Sequence, residues 1–443
     1  MNRRTPEEPE RAIMMGGTLA RLVLGVMCVA VFSTALVFRL IDLGHLPGIN
    51  GDEAYYGALV LELEAGRNVP LRTASGLPLN PFYSGPLLLL HIASPTPSFV
   101  VLRLVAVLSG VLAVILAYRL LSRVFDRLTG LLTSLLLACV PIAIAYSRFG
   151  WDQSQAPLAT LICLYFSLRR QTRAALWACL ALVIVHPANV LLTPILLGPS
   201  VAELVLVWYR TAPGERWQLS TRVLGGRRAL VISAVLLLAL CGVALWLLER
   251  LQSGPLQRLF AIDGWCDFAP LWGDLLSGVT IYRYVCGPLL DFVVWRERLV
   301  FCAIWLVLLA VGVPRLVRRQ DTRTLGLLGG LAPSLIAFYL VGGAAAMGPG
   351  QERYAMYLVT PSCLVLALLV RRLGDTKVAS GWQLGGVLVI CSLLLVSFYQ
   401  QYFMVFWQTG GLAHRTFRTG PVEPKQAAFE YIRAAAAQLL TLG

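Results

Sequence analysis

Apolar stretches near the ~20 residues needed to cross a bilayer recur along the chain, separated by short polar connections rich in arginine. They place spans at 22–37, 99–118, 128–146, 157–168, 174–185, 190–208, 229–248, 299–313, 325–345, 355–370 and 384–406, about eleven crossings of an all-α, polytopic membrane protein. The first run follows a charged tail and lacks a small-x-small cleavage site, so it reads as an uncleaved span rather than a signal peptide. The run "PFYSGPLLLLHIA" at 81–93 is short and flanked by prolines, which predicts a re-entrant or interfacial helix instead of a crossing. The runs on either side of His186-Pro187 also fit a re-entrant hairpin, and the parity of later loops is the same either way.

With the N-terminus inside, alternate loops carry Arg119/Arg123/Arg127, Arg169/Arg170/Arg173, the basic stretch 210–228, the stretch 315–323, and Arg371/Arg372/Lys377. The positive-inside rule selects this orientation, with a cytoplasmic N-terminus. The connections that then lie outside include a first outer loop at 39–98, a second at 147–156 and a long one at 249–298. Residues 1–420 form one membrane-embedded unit, and 421–443 reads as an outer tail that begins a soluble domain.

Composition agrees: 58% of residues are hydrophobic and 14% charged, against about 25% charged in soluble domains. The net charge of +14 resides in arginines between spans, with Lys377 and Lys425 as the two lysines. No basic stripe is interleaved with aromatics, so nucleic acid is not an expected partner. Most of the ten cysteines fall inside apolar runs and read as small core residues. Cys266 and Cys286 share the long outer loop and are a candidate disulfide.

Candidate chemistry clusters on the outer side. "NGDEAYYGALVLELEAGRN" (50–68) places Asp52 and Glu53 at the start of a predicted amphipathic helix, followed by Tyr55 and Tyr56. Helix capping is one reading of the two acids, catalysis another. "AYSRFGWDQ" (145–153) supplies Arg148, Trp151 and Asp152; here the alternatives are a local ion pair four residues apart, or a cation for an anionic ligand beside a carboxylate for a sugar hydroxyl. "MGPGQERY" (347–354) supplies Glu352, Arg353 and Tyr354, either a tight turn or a backbone loop that approaches a ligand. The aromatics of 249–298 line a sugar site or sit at headgroup level. The chain has no HExxH, Cys/His cluster, Walker loop or GxGxxG, so no metal site is predicted, although a divalent ion that assists the chemistry stays open. His91 and His186 read as satisfied interfacial or core histidines.

The order of these motifs resembles that of the multispan GT-C glycosyltransferases that use polyprenyl-phosphate sugars, the protein O-mannosyltransferases and lipid A aminoarabinose transferases in particular. The Asp52-Glu53 pair, "YSRFGWD" and "ERYAMYLVTP" carry the likeness, which covers most of 22–370. It implies transfer of a sugar from a polyprenyl-phosphate donor to an acceptor hydroxyl of a lipid, glycan or protein, with inversion, at the outer face of a bacterial inner membrane. Asp52 would be the base, with Glu53 orienting it or the acceptor; Tyr55, Tyr56, Arg148, Trp151, Asp152, Glu352, Arg353 and Tyr354 would bind substrate. One acid of the adjacent pair is expected to have a raised pKa. Where related enzymes often have a basic or histidine residue before Pro-Pro, this chain reads "LNPFY" (79–83), which moves phosphate recognition to Arg148 and Arg353, ahead of Arg72 and Arg283. A transporter or flippase of lipid-linked sugars is the main rival, with a non-catalytic scaffold behind it. Transporters place ionisable groups at mid-membrane, whereas here Arg103 is expected to snorkel at an outer end and Glu203 lies near an inner one.

Overall fold

The computed structural model describes residues 8–47, 51–67, 72–73, 78–94, 98–210, 271–286, 291–342, 352–374 and 377–409. Its helices, in chain order, are α1 (Glu8–Leu40), α2 (Gly51–Glu64), α3 (Pro81–Ala93), α4 (Phe99–Val124), α5 (Arg127–Cys139), α6 (Pro141–Tyr146), α7 (Ala156–Leu168), α8 (Thr172–Val185) and α9 (Thr193–Arg210). They continue with α10 (Leu271–Ser277), α11 (Val279–Cys286), α12 (Asp291–Arg319), α13 (Thr322–Gly342), α14 (Val359–Arg371), α15 (Lys377–Phe398) and α16 (Val405–Thr409). Among the described residues, extended pairing is limited to one bridge between Arg72 and Pro78. Among the described residues, six helical stretches are long and apolar enough to cross a membrane: Leu22–Leu40, Phe99–Val124, Pro187–Arg210, Arg298–Arg319, Glu352–Arg371 and Gly381–Gln408. Shorter apolar helices cover Arg127–Cys139, Arg173–Val185 and Thr322–Phe338. The expected span at 229–248, the Cys266 half of the candidate disulfide and the tail at 421–443 lie outside the described residues.

A helix that is apolar all round belongs in the middle of a bundle. Among the described residues, α14 is buried at every position from Val359 to Val370, and α5 from Thr129 to Cys139. The outer helices leave large apolar side chains uncovered, among them Leu22, Val26 and Val29 on α1, Val201 and Val205 on α9, Leu306 and Val307 on α12, and Val389 and Leu393 on α15. These faces suit contact with lipid, where apolar exposure carries no penalty. The tightest crossing joins α9 to α13: a Cβ on Gly198 would stand 1.9 Å from the Gly326 carbonyl oxygen, and one on Gly330 would stand 2.4 Å from that of Pro194. Small residues four apart on α13 permit this backbone approach.

The expected span at 128–146 is broken. Val140 is extended (φ −63°, ψ 121°) and Pro141 opens α6, since proline lacks the N–H that would bond four residues back. The carbonyl oxygens freed at the end of α5 are met by a buried arginine from α1: Arg39 donates to Leu137 at 3.3 Å and to Ala138 at 3.4 Å. Arg148 does the same for the end of α1, donating to the carbonyl oxygens of Phe38 (3.0 Å), Ile41 (2.6 Å) and Leu46 (2.8 Å). A cation at a helix C-terminus satisfies its orphan acceptors and complements its dipole.

Among the described residues, the arginines of the loops predicted to be basic gather at the opposite end of the bundle from the acid pair. Asp126 caps α5 through the Thr129 N–H (3.0 Å) and stands 3.7 Å from Arg371. Asp321 caps α13 through the Thr324 N–H (3.1 Å) and pairs with Arg372. Arg170 pairs with Glu203, joining the end of α7 to α9. The sequence therefore segregates its polar groups to two ends, one built from capping aspartates and arginines and the other described next.

Candidate active site

Asp52 and Glu53 are the first acids of α2, yet their side chains go to different places. Glu53 is fully buried and pairs with the equally buried Arg103 of α4, accepting from Nε at 2.9 Å and Nη2 at 3.1 Å. It also accepts the Gly150 N–H at 2.6 Å, while Arg103 Nη1 donates to the Leu43 carbonyl at 2.8 Å. Arg103 thus does not snorkel to water: the charge it needs is brought to it by α2. Gly150 is required for this approach, because a Cβ there would stand 2.9 Å from Leu102 Cγ and 3.0 Å from both the Leu102 oxygen and the Tyr83 hydroxyl. The result ties α2, α4 and the 147–156 loop together beneath the next layer.

Asp52 faces the other way, into a cavity of about 90 Å³ that it lines with Tyr55, Tyr56, Thr73, Trp151, Asp152, Gln153, His186, Arg353 and Tyr354. That volume is below the ~300–1,000 Å³ of a pocket that engulfs a small molecule, so it suits the reacting end of a longer ligand. Arg353 Nη1 donates to Asp52 Oδ2 at 2.7 Å and Nη2 donates to the Tyr354 hydroxyl at 2.9 Å. The guanidinium lies 4.9 Å from the Trp151 ring and 4.9 Å from the Tyr354 ring, a cation held between aromatic faces. Trp151 in turn stacks on Tyr146 and Phe149 (5.5 and 4.8 Å between centroids). The His186 ring lies 5.0 Å from the Tyr354 ring, centroid to centroid. Arg353 Nε, Trp151 Nε1 and both side-chain polar atoms of Gln153 are buried without a partner among the described residues.

Electrostatics distinguishes the titratable groups around the cavity. Burial, and then the charge of Asp52, push the Asp152 carboxyl up to about 6, against the Gln153 N–H that it accepts at 2.9 Å. Burial and the two neighbouring aspartates hold the Tyr56 phenol well above its ordinary value. Burial and the Arg353 charge lower the His186 imidazole to about 4, so it is neutral at physiological pH. Asp152, across the cavity from the adjacent acid pair, thus carries a raised carboxyl of its own.

The structure brings together seven of the expected residues: Asp52, Tyr55, Tyr56, Trp151, Asp152, Arg353 and Tyr354. Glu53, Arg148 and Glu352 lie outside this lining: Glu53 in the Arg103 pair, Arg148 on the carbonyls of α1, and Glu352 buried against the Tyr146 hydroxyl. Arg148 makes no pair with Asp152, because the end of α1 claims its guanidinium. Asn80, which replaces the basic residue of the resemblance, caps α3 by accepting the Phe82 N–H at 3.0 Å and donates to Gln155 at 2.9 Å. Thr73, Gln153 and His186 were not singled out as site residues. The sequence signal for His186 was its position before a proline between two spans, on the same side as the acids. Among the described residues no three His, Cys, Asp or Glu side chains stand close enough to hold a metal ion.

A family model described as dolichyl-phosphate-mannose-protein mannosyltransferase matches residues 88–238, about a third of the chain. No curated protein matches. Among solved structures, the archaeal oligosaccharyltransferase AglB from Archaeoglobus fulgidus, in complex with an inhibitory peptide and a dolichol-phosphate, aligns at 17% identity and a TM-score of 0.50, covering 89% of this chain. An Archaeoglobus fulgidus oligosaccharyltransferase in the apo form aligns at 16% identity and 0.50, over 92% of this chain and 59% of that one. ArnT from Cupriavidus metallidurans bound to undecaprenyl phosphate aligns at 17% identity and 0.43, over 96% of this chain and 77% of that one. The chain spans 56% of the length of the AglB chain in the first of these structures. At this level of identity the likeness concerns architecture, and it agrees with the helix order above: the chain has the all-α, multispan membrane fold of GT-C type.

Proposed function

We propose that this protein is an integral-membrane glycosyltransferase that moves a sugar from a polyprenyl-phosphate donor to an acceptor hydroxyl at the outer face of the membrane, with inversion. The observation that carries the reading is the Asp52–Arg353 pair at 2.7 Å, inside a cavity that also holds Asp152. Transfer to a hydroxyl needs a base for the acceptor proton and a cation for the departing phosphate, and this pair supplies one of each. The family match over 88–238 supports the same class, and the archaeal structural neighbour carries a dolichol-phosphate.

The donor phosphate competes with Asp52 for the Arg353 guanidinium, whose Nε has no partner among the described residues. Planar arginine N–H groups suit phosphate oxygens. Once the phosphate is paired, Asp52 is released to accept the proton of the acceptor hydroxyl. The acceptor oxygen then attacks the anomeric carbon from the face opposite the phosphate. The bond from that carbon to the phosphate oxygen breaks, its electron pair leaves with the polyprenyl phosphate, and the configuration inverts. The trapped geometry of Arg353 between Trp151 and Tyr354 means that little reorganisation is needed as charge grows on the leaving group. Asp152, pushed up to about 6, is a hydrogen-bonding partner for a sugar hydroxyl that donates when protonated and accepts when ionised.

The test uses purified protein in lipid with a panel of radiolabelled polyprenyl-phosphate sugars. Wild type is expected to release or transfer sugar from at least one donor, and Asp52→Asn to lose that activity. Full activity in Asp52→Asn removes Asp52 as the base. Movement of lipid-linked sugar across vesicles, with no cleavage of any donor, replaces the transferase with a transporter.

A further inference from the structure

His186 enters the cavity from the turn between α8 and α9, and its ring has a fixed orientation. Nδ1 accepts the backbone N–H of Ala188 at 3.1 Å, which caps the 3-10 turn Pro187–Leu192. A neutral imidazole carries one proton, and a nitrogen that accepts cannot also hold it. The proton is therefore on Nε2, on the opposite edge of the ring. One face of the ring lies against Tyr354, the same side chain that holds Arg353 on its own face and hydroxyl. The arginine and the histidine thus both lie against a single tyrosine on the wall of one cavity.

We propose that His186 is a further ligand-binding residue, a neutral imidazole whose Nε2–H donates to a non-bridging oxygen of the phosphate that Arg353 pairs. The proposal rests on the glycosyl-transfer reading and adds a second, uncharged arm to its phosphate site. The arrangement has a physical advantage over two cations. A second positive charge beside Arg353 would be repelled in the empty site, whereas a neutral donor is not, and it still strengthens as the leaving phosphate gains charge. The depressed pKa of the ring agrees with this state but is not needed for it: the Ala188 contact alone selects the tautomer.

The experiment measures binding of tritiated geranylgeranyl phosphate, a sugar-free polyprenyl monophosphate, to the full chain in detergent. His186→Phe keeps a ring against Tyr354 and removes the donor; His186→Gln places an amide N–H near the position of Nε2. Loss of one hydrogen bond to a charged group predicts roughly ten- to hundred-fold weaker binding for His186→Phe, and binding within about threefold of wild type for His186→Gln. Unchanged binding in His186→Phe, where Arg353→Gln binds poorly, overturns the role of His186 and leaves the transferase reading intact. Failure of wild type itself to bind any polyprenyl phosphate overturns both. A second measurement does not depend on either variant's stability in the binding assay: the chain has four histidines, so the ¹⁵N spectrum of histidine-labelled protein is simple enough to assign by difference. A ring protonated on Nε2 and bare on Nδ1 at neutral pH is expected; the other tautomer, or an imidazolium, overturns the proposal.

Discussion

Removal of Arg103 gives the sharpest test of how the site is held. Arg103→Met keeps an unbranched apolar stem of similar reach but strands the Glu53 carboxylate, which is fully buried and loses its counter-charge while keeping the Gly150 N–H at 2.6 Å. An uncompensated charge of this kind costs about 3–5 kcal/mol. Glu53→Leu alone strands the guanidinium in the same way. The double variant strands neither charge; it leaves the Gly150 N–H and the Leu43 carbonyl, bonded at 2.8 Å in the parent, without partners. Each such group costs about 1–3 kcal/mol, so the double variant is expected to lose about 2–6 kcal/mol, well below the ~6–10 kcal/mol sum of the singles. The cycle therefore predicts a coupling of several kcal/mol. Unfolding free energies of all four proteins, measured in bicelles by steric trapping, with melting temperatures in mild detergent as a check, test this. An Arg103→Met protein as stable as its parent, or single effects that simply add, would refute the reasoning that this pair is a desolvated lock.

Other consequences follow from the same geometry. Asp52→Asn is expected to lower transfer by roughly 10²–10⁴-fold while polyprenyl-phosphate binding persists, because Arg353 is then no longer competed for; equilibrium binding beside turnover separates the two effects. Asp152 has a folded pKa raised to about 6 from 3.8, so its contribution to stability is fully present below about pH 3.8 and is lost as pH rises through about 6. Asp152→Asn should accordingly stabilise the protein at pH 8 relative to wild type, with the gain fading towards pH 4 in a melting series. Gly150→Ala sets a Cβ 2.9 Å from Leu102 Cγ and 3.0 Å from a backbone oxygen, an overpacking that costs about 1–3 kcal/mol and displaces the loop that carries Trp151 and Asp152; both melting temperature and activity are expected to fall. Arg148→Lys should lower stability by leaving carbonyls at the end of α1 unbonded, with little change in the affinity for polyprenyl phosphate in the protein that remains folded.

The order of apolar runs determined much of the architecture, because helices and closed barrels alone satisfy every backbone group in hydrocarbon. The alternation of basic and acidic loops likewise separated the ends: Arg371, Arg372 and Arg170 lie at one, and Asp52, Asp152 and Arg353 gather at the other. Local pattern also placed the acid pair at the start of α2 and kept 81–93 short.

What adjacent letters could not tell was which charge serves the fold and which serves the cavity. Asp52 and Glu53 are neighbours in sequence, but a helix turns about 100° per residue, so one reaches Arg353 while the other is buried against Arg103, 50 positions away. Arg148 stood beside Asp152 on paper and was claimed by carbonyls from α1 more than 100 positions earlier. His186 looked like an ordinary core histidine until α8, α9 and the turn at Glu352–Leu358 came together and set it against Tyr354. Hydrophobic periodicity is written locally and can be read locally. The partner of a buried charge is chosen by packing, since each ion in a low-dielectric interior must find its counter-charge or donor wherever the folded chain brings one within reach.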